Sequence, residues 1–165
     1  MTGQYSILIK GFDKPIDFVD TWSKKYSYPD EYKYDDNITR VLDDWSYFLE
    51  LFRWKNGYRD NIYKKKLEVI EGFYDKVDVL RNLKSNFSWE IFETEFEPTK
   101  SSPIWKIFLL HLIDPKAFPI YDQHVFRFYY FVKTGVISEI STNLKFLYNG
   151  YKNDYIDWFN QLQKV

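Results

Sequence analysis

Cysteine is absent from this chain of 165 residues, and alanine occurs once, at Ala117. Without cysteine there are no disulfides, no thiolate metal sites and no cysteine nucleophile, which fits a reducing compartment. Glycine and proline number six each. They act as punctuation, and no flexible linker, low-complexity tract or internal repeat is formed. Neither G-x-G-x-x-G nor a P-loop occurs, so no glycine cradle for a nucleotide phosphate is present. The H-x-x-x-H and H-E-x-x-H spacings are also missing, and no metal or other cofactor is expected. Ser101 and Ser102 are the only adjacent serines, and no G-x-S-x-G elbow surrounds them. A basic excess is lacking too: the net charge is -1, which withholds the usual footprint of a nucleic-acid binder. The longest apolar run, Ile104 to Ile113, is short and carries Lys106 and His111, so no membrane span is expected. No basic-plus-apolar leader opens the chain. The expectation is a soluble cytoplasmic protein.

What the chain has instead is aromatic bulk: 15 Tyr, 15 Phe and 6 Trp, or 22%. Large rings fill cores, and the lysine-over-arginine bias points to an AT-rich coding genome that itself favours Phe and Tyr codons. Base-stacking platforms are therefore not inferred from the count. Charge is uneven, with residues 100–165 at +3 and residues 1–99 at -4. This permits a local basic face on the second half without specifying one.

Periodicity predicts an all-α protein, a single helical domain over residues 1–165. Residues 1–35 read as an irregular N-terminal wrap, with a short strand or arm over 5–9 and a short helix over Asp17–Lys25. Residues 36–97 form one helical half and 98–165 the other. Ile38, Val41, Leu42, Trp45, Phe48, Leu49 and Phe52 recur at three and four, one wide apolar stripe, capped by Asp36 or Asn37 and ended by Asn56-Gly57. Further helices are expected over Asp60–Phe73, after a cap at Asp75, and over Trp89–Phe96. Ser102-Pro103 starts another, which Asp114-Pro115 stops near Ile113. Asp122 caps the next, ending near Thr134-Gly135. A last helical stretch spans Ser141–Leu162 with a break near Gly150.

The stretch from Trp105 to Lys133 concentrates the candidates for chemistry. It holds both histidines of the chain and Asp122. A carboxylate at a helix N-terminus is held as the anion by the dipole and the free N–H groups. It can stabilise a developing cation or act as a base, or it can do no more than cap the helix. His111, within FLLHLI, reads as a hydrogen-bonded core histidine. His124 lies in the first turn after Asp122, where it can face a cleft. Arg127 can contact a substrate with Tyr121 and Lys106, or reach an acidic neighbour on the surface.

The string DPKAFPIYDQHVFR resembles the segment that leads into the catalytic aspartate of the helix-hairpin-helix DNA glycosylases, the oxoguanine glycosylases included. Pro115, Ala117, Pro119, Ile120, Asp122, His124, Val125 and Arg127 stand in matching order, with Tyr121 as a one-residue insertion. The resemblance covers about thirty residues, roughly 102–133. It implies an all-helical scaffold, an extruded base and cleavage of its glycosidic bond, with Asp122 as the catalytic carboxylate. Trp105, Phe108, Tyr121 and Phe126 would line the base pocket, with His124 and Arg127 as further substrate contacts. Lys100, Ser101, Ser102 and Lys106 would meet the nucleic-acid backbone. Two departures stand out. The segment Glu97–Pro103 has no glycine where the family's phosphate-binding hairpin does. Aligned on the two prolines, Ser102 takes the place of the family's lysine nucleophile, which implies a monofunctional enzyme. DNA is the partner this reading expects. A non-catalytic module binding nucleic acid or protein on the same scaffold, as in a bacterial or phage conflict system, is the alternative. A helical structural or assembly protein is the third.

Overall fold

The computed structural model describes residues 30–57, 62–96, 103–136, 138–139 and 143–162, together with Asp17, Asp20 and Thr21. Among these the protein is all helical, with no strand. The order is α1 (Glu31–Ile38), α2 (Trp45–Lys55), α3 (Lys64–Tyr74), α4 (Val77–Ser85), α5 (Trp89–Glu95), α6 (Pro103–Ile113), α7 (Gln123–Thr134) and α8 (Leu144–Gly150). A single π turn (Tyr151–Tyr155) then leads into α9 (Ile156–Leu162). None of the helices among the described residues is long and apolar enough to cross a membrane. The expected arm over 5–9 and most of the 1–35 wrap fall outside the described residues.

Helix α6 is the axis of the core. Pro103 and every residue from Lys106 to Ile113 are buried. A helix that is apolar all round must be covered on all sides, and α4 and α8 both pack against it. Phe52 and Trp54 of α2 and His111 of α6 pack their rings on Phe108. Proline at the first position of α6 suits a helix start, where its missing N–H costs nothing.

The predicted long helix from Asp36 is two helices. The stripe continues, with Val41 and Leu42 buried, but the backbone turns between Thr39 and Asp44. The N–H groups of Arg40 and Asp43 donate to carbonyls three residues back, at 3.1 and 2.9 Å. The carbonyl of Leu42 is taken by Nε and Nη2 of Arg81, at 3.1 and 2.7 Å. Asp44 then caps α2, accepting from the N–H and the hydroxyl of Ser46 at 2.8 and 2.6 Å. Asp75 likewise proves to close α3 rather than open α4, its N–H donating to Glu71 at 2.8 Å. The α7 boundaries agree with the sequence reading, including Gly135 at φ 73, a left-handed position that glycine occupies without strain.

Candidate active site at the start of helix α7

The link between α6 and α7 is fixed along its length. Asp114 folds the first turn, its Oδ1 accepting from the N–H groups of Lys116 and Ala117 at 2.9 and 3.1 Å. His111, inside α6, ties down the next residues. Its Nδ1 lies 2.7 Å from the carbonyl of Phe118 and its Nε2 lies 2.6 Å from the hydroxyl of Tyr34 on α1. A carbonyl only accepts, so Nδ1 carries the proton and the bare Nε2 accepts from Tyr34. Burial pushes the His111 pKa down to about 4 and that of Tyr34 up to about 12. The imidazole is a neutral connector between α1, α6 and the link, the core role its apolar setting suggested.

Two more carbonyls of the link are held from the far side. The hydroxyl of Tyr151 donates to Pro119 at 3.0 Å and that of Tyr155 to Ile120 at 3.3 Å. Tyr121 then inserts its ring beside both, with centroids at 5.3 and 4.8 Å.

Asp122 follows. Its backbone is extended, at φ -141 and ψ -176, and it caps α7. One oxygen, Oδ1, accepts from the N–H groups of both His124 and Val125 at 2.9 Å. The other, Oδ2, lies 3.6 Å from Nζ of Lys55. The Asp122 side chain is 38% exposed and that of Lys55 only 12%. Lys55 ends α2, so its cation meets the negative end of one helix while Asp122 meets the positive end of another. The Phe108 ring lies 5.8 Å from the same ammonium. Burial lowers the Lys55 pKa, and the Asp122 carboxylate opposes that shift. The site is therefore a partly exposed carboxylate with one oxygen committed to the helix and the other turned to a desolvated amine.

The other candidates divide. Phe108 and Tyr121 are 2% and 3% exposed, so they form the floor beneath Lys55 and Asp122 and present no free face for a ligand. Phe126 is half-buried against Tyr121 and Tyr130. Trp105 is half-buried against Phe52 on the α2 side, with the Lys66 ammonium 5.6 Å from its ring. The four aromatics thus fall into two groups, Trp105 and Phe108 meeting through Phe52, and Tyr121 meeting Phe126. His124 is exposed. Arg127 reaches Glu139 at 2.6 Å, which also accepts from Gln123; its surface-pair reading describes its place. Lys106 does not lie on the surface: at 1% exposure it is part of the core, because it sits on a helix covered on all sides, and a duplex backbone passing outside does not meet it. Lys100, Ser101 and Ser102 lie outside the described residues.

Sequence reasoning missed Lys55. The one local signal was a lysine in the last helical turn before Asn56-Gly57, a place that many surface lysines share. Compared with known proteins, the chain matches no family model, and no curated protein or solved structure is significantly similar to it. The glycosylase resemblance rests on residues 102–133 alone.

Proposed function

We propose that the protein is a DNA-glycosylase-like enzyme that cleaves the N-glycosidic bond of a modified or damaged base, with Asp122 as its carboxylate. The observation that carries the reading is the division of labour within that carboxylate. Oδ1 is fixed by two N–H groups, and Oδ2 faces Lys55, on a side chain that is partly exposed. Breaking a glycosidic bond develops positive charge on the sugar. A carboxylate oxygen held in a fixed direction stabilises that charge without reorganising, and it can orient the water that completes the reaction. The Lys55 ammonium competes with a cationic sugar for Oδ2. Burial lowers the Lys55 pKa, so the ammonium is a less favoured partner for Oδ2 than a solvated lysine would be.

The test is a panel of duplexes carrying single modified bases, incubated with the purified protein and assayed for abasic sites. Release of one base is expected, with Asp122→Asn lowering the rate by about 100-fold or more. Full activity in Asp122→Asn, or no abasic sites across the panel, overturns the reading. One observation favours the non-catalytic alternative: with Lys55 paired to it, Asp122 is also a staple between α2 and α7. On that alternative, binding to DNA is unaffected by Asp122→Asn and weakens steeply with salt.

A further inference from the structure

The π turn at Tyr151–Tyr155 has no role in the chemistry above, yet three of its five side chains reach the two arms that flank Asp122. The turn is one residue wider than an α turn: the N–H of Ile156 donates to the carbonyl of Tyr151, five residues back. Such turns occur mostly singly, and often where function demands a particular placement. Here Tyr151 and Tyr155 donate to two consecutive carbonyls, those of Pro119 and Ile120, on the arm before Asp122. Asp154 accepts from the Tyr129 hydroxyl and the Lys133 ammonium, both on α7, the arm after Asp122. Tyr151 and Tyr155 are buried, at 0% and 2% exposure, so neither hydroxyl has water to fall back on. Leaving a buried hydroxyl without a partner is costly, which makes these bonds directional constraints.

We propose that Tyr151, Asp154 and Tyr155 are positioning residues for Asp122: the π turn grips the link on one side and α7 on the other, and so sets where Oδ2 points relative to Lys55. The functional weight of this inference rests on the proposed role of Asp122, but the geometry can be tested without any substrate. Oδ2 is defined by its distance from Lys55, which sits on α2 and has Asp122 as its ionic partner rather than either tyrosine. A tyrosine acting only as core filling would leave Lys55 undisturbed when its hydroxyl is removed.

The experiment titrates the Lys55 side chain by NMR in the full chain and, in parallel, follows amide exchange at His124 and Val125. Asp122→Asn supplies the reference. It removes the charge that raises the Lys55 pKa, so the Lys55 midpoint falls. The Tyr151→Phe/Tyr155→Phe double variant is expected to move the midpoint in the same direction. It should also speed exchange at His124 and Val125 by about fivefold for each hydrogen bond lost. Tyr148→Phe is the control, because the Tyr148 hydroxyl is buried with no hydrogen-bond partner among the described residues; it should leave both readouts unchanged. If the double variant does not fold, Tyr155→Phe alone, which removes the longer of the two bonds, carries the same comparison. A folded variant in which Lys55 titrates as in the wild type and both amides keep their protection overturns the proposal. Because neither readout involves glycosidic cleavage, an inactive protein with a shifted Lys55 would refute the enzymatic reading and leave the positioning intact.

Discussion

Removing the Asp122 carboxylate should destabilise the fold by two separable routes. The first is the helix cap. Both N–H groups at the start of α7 bond to Oδ1, and loss of such a cap costs about 1 kcal/mol. The second is the ion pair. Stranding one member of a fully buried pair costs about 3–5 kcal/mol. Here Asp122 is 38% exposed while Lys55 is 12% exposed, so solvent already screens the pair from one side, and the stranded lysine can shed its proton. A cost of about 1–2 kcal/mol is the appropriate scale. Asp122→Ala loses both terms, about 2–3 kcal/mol, which for a chain of this size lowers Tm by about 5–10 °C. Asp122→Asn keeps a good capping oxygen and loses only the charge, so it should cost about 1–2 kcal/mol. Lys55→Met removes the desolvated cation and keeps the apolar stem. It leaves a capped, partly solvated carboxylate and should fall within about 1 kcal/mol of the wild type. The assay is urea unfolding of the two single variants Asp122→Asn and Lys55→Met and of their double variant. Coupling of about 1 kcal/mol is expected, because the double variant has no stranded cation. The pH dependence has a definite sign. The folded-state pKa of Lys55 lies below its ordinary value, so the unfolded chain binds more protons between the two. Wild-type stability relative to Lys55→Met should therefore rise as pH climbs through that window. A cycle that adds to within about 0.3 kcal/mol refutes the reasoning, for it would mean that Lys55 and Asp122 do not sense each other.

Two further outcomes follow from the same geometry. His111 has a folded pKa of about 4 against an ordinary 6.5, so the unfolded chain takes up a proton first as pH falls. Stability is fully present above pH 6.5 and should drop by about 3 kcal/mol between pH 6.5 and 4; urea midpoints of His111→Gln should lack this component, and parallel curves for the two proteins would refute it. Sodium borohydride should trap no covalent complex between protein and cleaved duplex, because a monofunctional enzyme uses water. A trapped complex that disappears in Lys55→Gln would instead show that the desolvated amine beside Asp122 attacks the sugar.

Local rules reach some parts of this molecule and not others. The start of α6 at Pro103, its end before Asp114, the Asp122 cap and the Gly135 stop all depend on the conformational and capping preferences of residues within three or four positions, so the sequence displays them directly. The break between α1 and α2 combines the local Asp44 cap with a partner far along the chain: the guanidinium of Arg81 takes the Leu42 carbonyl, while the apolar stripe runs through the turn as if the helix continued. Lys106 shows the same limit in reverse. A lysine within a short apolar run suggests a charge at the surface, but its neighbours on every side of α6 are core residues, and the helix carries it inward. The candidate site divides along this line. Asp122 was visible because capping is local, and Tyr121 because it is its neighbour. Lys55 and the tyrosine pair at 151 and 155 were not, since each meets the link only after α2 and the π turn have packed. What distinguishes Asp122 from an ordinary helix cap is thus the nonlocal part: a desolvated cation at its second oxygen and two hydroxyls holding the backbone that leads to it. A plain cap needs neither, and so the substitutions that decide whether Asp122 is more than a cap lie at Lys55, Tyr151 and Tyr155.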